Sequence, residues 1–204
     1  MTCLTFAVEA ALVEQFFLLL QKGVMIRRRV GCPVDSFLRQ ELGAGPETVE
    51  MIQSVMLDGK PVDDIGAAVV RDGSTLALSA AMPGVVGATM RRGGAYASMR
   101  SSITYHETGE TGAAVEGWVT IKLFNLLMAE LGPSLLRGEI LVASSVLLDL
   151  LTELPDDFWR GCRRISLDGV AVDRDQLIDA GGLGGATAVL LSVSPEPEGV
   201  DRRR

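Results

Sequence analysis

The sequence has 204 residues, enough for one large domain or two small ones. Hydrophobic residues make up 48% of it and charged residues 22%, the balance of a soluble globular protein. A net charge of −7 gives no electrostatic reason for a nucleic-acid partner, one histidine leaves few ligands for zinc, and three cysteines do not make a paired framework.

In chain order, Leu4 to Val8 alternates apolar with small or polar residues, the pattern of a half-buried strand. A leucine-rich stretch follows and ends at Lys22-Gly23. Its most apolar part, Phe16 to Leu20, is far shorter than the ~20 residues of a membrane span. Glu9 and Glu14 interrupt any signal-peptide core, so a cytoplasmic protein without membrane partners is expected. A second strand is expected over Val24 to Val30. A helix follows, with Pro33 in its first turn, Val34, Phe37, Leu38 and Leu42 on one face, and Gly43 as its cap. The next strand ends in the tight turn Leu57-Asp58-Gly59, where glycine accepts positive φ and aspartate can bond nearby amides. Ser74 to Ser79 is expected to close this first unit, residues 1–83.

Residues 84–117 form a connecting segment that belongs to no repeat. Its first half mixes glycines with Arg91 and Arg92, so Arg91, Arg92, Gly93 and Gly94 are the candidate anion- or partner-binding loop. The alternative is a plain connecting loop that bends at its glycines. Ala95 to Tyr105 alternates enough for an extra strand or hairpin, and Thr108 to Gly112 reads as a linker.

After residue 118 the landmarks recur. Val119 to Leu123 alternates, and a leucine-rich stretch ends at Arg137-Gly138, with the strand Glu139 to Ala143 after it. Leu147, Leu150, Leu151 and Leu154 share a helical face, with Ser144 or Ser145 as the cap. Leu167-Asp168-Gly169 repeats the tight turn, and Thr187 to Val193 closes a second unit, residues 118–195. Residues 196–204 read as a disordered tail.

The order strand, strand, helix, strand with Asp-Gly turn, closing strand resembles the β-grasp topology. The turn Leu57-Asp58-Gly59 followed by Asp72-Gly73-Ser74-Thr75-Leu76-Ala77-Leu78 is similar to the MoaD/ThiS sulfur-carrier branch of that ubiquitin-like superfamily. The resemblance implies an α+β protein of two tandem β-grasp units, each a mixed sheet packed on one main helix. Carriers of this branch work through a free C-terminal Gly-Gly. Here the chain runs Gly199-Val200-Asp201 and three arginines, and the pair Gly93-Gly94 is internal. Carrier chemistry on the intact chain is therefore not expected.

The other chemistry-bearing residues have bland readings. Cys3, Cys32 and Cys162 are expected to be small buried apolar residues, and His106 a surface residue beside a linker. Asp63, Asp64 and Asp72 lack the spacing of a calcium loop. The run Gly182-Leu183-Gly184-Gly185 leads into a strand, which is the wrong context for a dinucleotide fingerprint. Trp118 and Trp159 are expected at the edge of the core. The expected function is a non-enzymatic adaptor without cofactor or metal, binding a protein partner or itself through apolar positions left over from the unit cores. The alternatives are a carrier matured by cleavage after Gly94, and an anion or cofactor binder using Arg91 to Gly94.

Overall fold

The computed structural model describes residues 1–107, 114–178, 183 and 185–196. The expected linker at 108–112, most of the glycine run at 180–185 and the tail from 197 onward lie outside the described residues. The protein is α+β. Its strands are β1 (Cys3–Val8), β2 (Val24–Val30), β3 (Cys32–Pro33), β4 (Ser54–Leu57), β5 (Lys60–Pro61) and β6 (Val69–Val70) in the first half. They continue as β7 (Thr75–Ser79), β8 (Val115–Phe124), β9 (Ile140–Ala143), β10 (Cys162–Leu167), β11 (Val170–Ala171) and β12 (Ala188–Pro195). The helices are α1 (Phe17–Lys22), α2 (Val34–Ser36), α3 (Pro46–Met51), α4 (Gly84–Met90), α5 (Leu126–Arg137), α6 (Ser144–Glu153), α7 (Asp156–Arg160) and α8 (Arg174–Ile178).

The chain forms two compact units, and their limits differ from the boundaries 1–83 and 118–195 drawn from the repeat. One is continuous, Leu20–Gly132; the other is split, Met1–Leu19 with Pro133–Arg204. In the continuous unit the strand order is β2-β8-β7-β4-β5. The central pair β7 and β8 is parallel, with Leu78 beside Leu123, and each is flanked by an antiparallel neighbour. Alternation puts Val55, Leu57, Leu76, Leu78, Val119, Ile121 and Leu123 among fully buried residues, each such side chain stabilising the fold by about 1.5–3 kcal/mol. The expected helix begins as α2 and continues as a π turn, Phe37–Glu41, in which the Leu42 amide donates to the Phe37 carbonyl at 3.1 Å. Val34, Phe37 and Leu38 are buried as their spacing predicts. Gly43 (φ 69°) ends the helix in the left-handed region.

In the split unit the order is β11-β10-β1-β12-β9. β1 is antiparallel to β10 and parallel to β12, which is antiparallel to β9. Both Asp-Gly turns form as expected, with Asp58 and Asp168 at φ 50° and 51°. The two turns also reveal which strands correspond. Asp58 Oδ1 accepts the Thr75 amide at 2.7 Å while its own amide donates to the Thr75 carbonyl. Asp168 does the same to Cys3, at 2.8 Å in each direction. β1 therefore fills the place that the closing strand β7 fills in the continuous unit, and β12 fills the place of β8. The repeat pairs Leu4–Val8 with Val119–Leu123 because alternation specifies a buried face and is silent about the neighbouring strand.

The core of the split unit is aromatic. Phe6 and Phe16 rings are 5.2 Å apart and Phe16 and Phe158 are 5.7 Å apart in an edge arrangement. Leu147, Leu150 and Leu151 of α6 are buried as expected. The expected serine cap is not made: Ala143 occupies the N-cap position of α6 without a side-chain bond, and the Ser144 hydroxyl donates to the Ala186 carbonyl. Ala95 to Tyr105 holds no strand or hairpin; Ala97–Arg100 is a 3-10 turn. The three cysteines are half-buried rather than buried. Trp118 and Trp159 are half-buried, as edge positions should be. No helix among the described residues is long and apolar enough to cross a membrane.

Candidate functional site

The segment 84–107 belongs to the continuous unit and is held there by two clamps. The first is Arg100, whose guanidinium is almost wholly buried. It grips Asp63 with both forks, Nη2 to Oδ1 at 2.6 Å and Nη1 to Oδ2 at 3.1 Å. Its remaining donors reach the Thr89 carbonyl at 2.6 Å, Thr104 Oγ1 at 2.9 Å and the Arg91 carbonyl at 3.4 Å. Burial alone would raise the Asp63 carboxyl. Hydrogen bonds from Arg100 and the Gly93 amide, with the Arg100 charge, bring it below the usual range.

The second clamp is Glu107. Arg71 donates to both of its oxygens, at 2.7 and 3.2 Å, while the Val69 amide and the Tyr105 hydroxyl donate to Oε2 at 2.9 and 3.0 Å. The Glu107 hydrogen bond raises Arg71 above its ordinary value, and burial, reinforced by Glu107, raises Tyr105. The Tyr105 amide completes the attachment by donating to the Pro61 carbonyl at 2.8 Å.

Arg91, Arg92, Gly93 and Gly94 lie together between α4 and Arg100. They border, with Ala88, Ala95 and Tyr96, a concavity of about 490 Å³. Three of their amides are engaged elsewhere. Arg92 donates to the Gln53 carbonyl at 2.7 Å, Gly93 to Asp63 Oδ1 at 3.1 Å and Gly94 to the Arg91 carbonyl at 3.1 Å. Gly93 adopts φ 61°, the conformation that favours glycine. The backbone that was to cradle an anion already serves the Asp63 carboxylate and the turn itself; the Arg91 side chain remains exposed.

A second feature had no signal in the sequence reading. Alternation that buries Val55 and Leu57 turns Ser54 and Met56 to the opposite face, where Ala77 and Ser79 are their cross-strand partners. These residues, with Met82, Pro83, Phe124 and Asn125, line an apolar groove of about 320 Å³. Asn125 (φ 57°) anchors its rim by donating to Ser79 Oγ at 3.1 Å and to the Ala81 carbonyl. In α4, which follows Pro83 in the chain, Val85 (80% exposed) and Val86 (60%) are exposed apolar residues.

The other candidates are dispersed. Asp64 Oδ1 receives the Gly66 and Ala67 amides, and Asp72 Oδ1 receives the Trp118 amide at 2.7 Å. His106 is exposed. Among the described residues no cluster of three or more His, Cys, Asp or Glu could hold a metal ion. Burial pushes the Cys162 thiol up to about 11 and, with the Glu41 charge, raises Cys32. Compared with known proteins, the chain matches no family model, no curated protein and no solved structure.

Proposed function

We propose that the protein is a non-enzymatic, ubiquitin-like adaptor that binds another protein through the outer sheet face and α4 of its continuous unit. In this reading the continuous unit is a β-grasp, with a central parallel pair, an Asp-Gly hairpin and one main helix. The split unit is a β-grasp with β1 and β12 in the two central places.

The observation that carries the reading is the apolar groove beside β4 and β7, followed in the chain by the exposed Val85 and Val86. Apolar surface of this kind on a sheet face is characteristic of partner contact. None of the residues lining it is ionisable. The engaged amides of Arg92, Gly93 and Gly94 favour this reading over both alternatives. A tail that is to be adenylated must be free and extended, and a phosphate cradle needs amides that point outward.

The test is site-specific photocrosslinking in the native host, with a benzoylphenylalanine at Val85 and, as control, at the exposed Glu47 of α3. One discrete protein adduct from position 85, lost on adding Val86→Glu and absent from position 47, is the expected result. Equal labelling at both positions, or none at 85, refutes it.

A further inference from the structure

The two ends of α4 differ in chemistry. Pro83 at its N-cap lines the apolar groove, whereas Arg91 at its C-cap borders, with Arg92, the concavity of about 490 Å³. The other lining residues there are alanines, glycines and the exposed Tyr96, so no carboxylate faces the two guanidinium groups. Arginines elsewhere on the surface have one: Arg39 pairs with Asp35, Arg163 with Glu9 and Arg174 with Asp156. The side chains of Arg91 and Arg92 make no ion pair or hydrogen bond among the described residues. In a protein of net charge −7, two unpaired cations in one hollow stand out. The backbone beneath them is fixed in advance. The Arg91 carbonyl accepts from Arg100 Nη2 and the Gly94 amide, and the Gly93 amide donates to Asp63. A binding partner would therefore lose little entropy in ordering it.

Three features define what fits. With the amides of Arg92, Gly93 and Gly94 engaged, the free donors are guanidinium forks, whose planar geometry matches a carboxylate. A nucleic-acid strand would meet two cations on a protein whose overall charge repels it. The seven residues of α4 span only about 12 Å from Pro83 to Arg91, at about 1.5 Å per residue, well within the roughly 800 Å² that a standard interface covers on each side. We infer that Arg91 and Arg92 are the charged subsite of the docking face and receive the carboxylates of an acidic segment of the partner protein. This rests on the reading of the groove and α4 as the partner-binding face. The subsite would steer the acidic partner towards that face and set its orientation, the usual work of charges at an interface rim.

The experiment is an amide NMR titration of the full-length protein with acetyl-tetraglutamate amide, with a tetralysine peptide and inorganic phosphate in parallel, repeated on Arg91→Gln/Arg92→Gln. The expected shifts centre on Arg92, Gly93, Gly94, Ala95 and Tyr96. Binding should weaken between about 0.01 and 0.15 M salt, as the Debye length falls from about 30 to 8 Å. The double glutamine variant should lose about three- to thirtyfold in affinity, the range of two exposed ion pairs, while melting as wild type does. Arg91→Lys/Arg92→Lys keeps the charge and should keep salt-dependent binding; a loss as complete as with glutamine would trace the effect to packing and overturn the subsite. So would no shifts at these amides in low salt, equal shifts with tetralysine, or phosphate binding more tightly than the peptide. The Val85 photocrosslink connects the subsite to the partner, and its yield should fall in the double glutamine variant. An undiminished adduct overturns the subsite but leaves the adaptor reading standing. Arginine-dependent peptide binding in a chain that gives no adduct at Val85 keeps the subsite and refutes the adaptor reading.

Discussion

Replacing Asp63 by asparagine removes the counter-charge of a buried guanidinium and leaves the shape of the side chain almost unchanged. The Arg100 side chain is 3% exposed and that of Asp63 is 35% exposed. Breaking a fully buried pair on one side costs about 3–5 kcal/mol; partial access of water to Asp63, and the bonds Arg100 keeps, reduce this to about 2–3 kcal/mol. The loss falls on the opening of segment 84–107, because that is what the clamp ties down. At 1.4 kcal/mol per factor of ten, amide exchange in the segment should accelerate about 30- to 150-fold. Native-state hydrogen exchange at the Arg92 and Tyr105 amides is the assay, since their acceptors, Gln53 and Pro61, are untouched by the substitution. Amides of β7 should change little. The sign of the pH dependence follows from the lowered Asp63 value: its contribution is complete above the ordinary 3.8 and is lost as pH falls through the lower folded-state value. Wild-type protection at Arg92 should therefore fall in acid below 3.8 more steeply than that of Asp63→Asn, which keeps only the Glu107 clamp. Unchanged exchange at both amides, or uniform acceleration through β7 as well, would refute the clamp.

A Cβ on Gly87 would overlap the Met82 carbonyl, so Gly87→Ala should weaken the docking of α4 by about 1–3 kcal/mol, although alanine is ordinarily the better helix residue; accelerated exchange at Arg92 without loss of global stability is the expected reading. Phe6→Ala should cost about 3–5 kcal/mol and loosen β10 and β12, the strands paired to β1, while amides of β2 stay protected; the reverse pattern would contradict the observed pairing. Intact mass spectrometry of protein from its native host should find the full-length species and none ending at Gly94, because the amides of Arg92, Gly93 and Gly94 hold that stretch in a closed turn.

Local patterns carried much of the fold. Val24–Val30 is a strand with the limits expected of it, both Asp-Gly turns take left-handed aspartates, and the apolar spacings of Val34, Phe37, Leu38 and of Leu147, Leu150, Leu151 mark buried helix faces. What stayed illegible depends on distant partners. β1 and β8 have interchangeable alternation, so only their neighbours, β10 and β12 in one case and β2 and β7 in the other, distinguish their places. Arg100 looks like any surface arginine until Asp63, 37 residues earlier, is placed against it. The groove has no sequence signature either, because its walls come from three separated stretches of chain. The candidate loop Arg91 to Gly94 was located as a compact cluster, but the direction of its amides was beyond a reading that sees composition and spacing.

The glycines of the connecting segment have a structural use that a loop reading cannot supply. Gly87 lets α4 pass so close to Met82 that no side chain fits between them, and Met82 and Pro83 form one wall of the groove. The same segment is fixed at its far end by Arg100 on Asp63 and by Glu107 on Arg71. Groove wall and clamps thus lie on one continuous stretch of chain, Met82 to Glu107. Opening that runs the length of the stretch should therefore accelerate exchange in α4 as well as at Arg92 when Asp63 is replaced by asparagine. Acceleration at Arg92 with unchanged α4 amides would separate the two ends and show that the wall stands without the clamp.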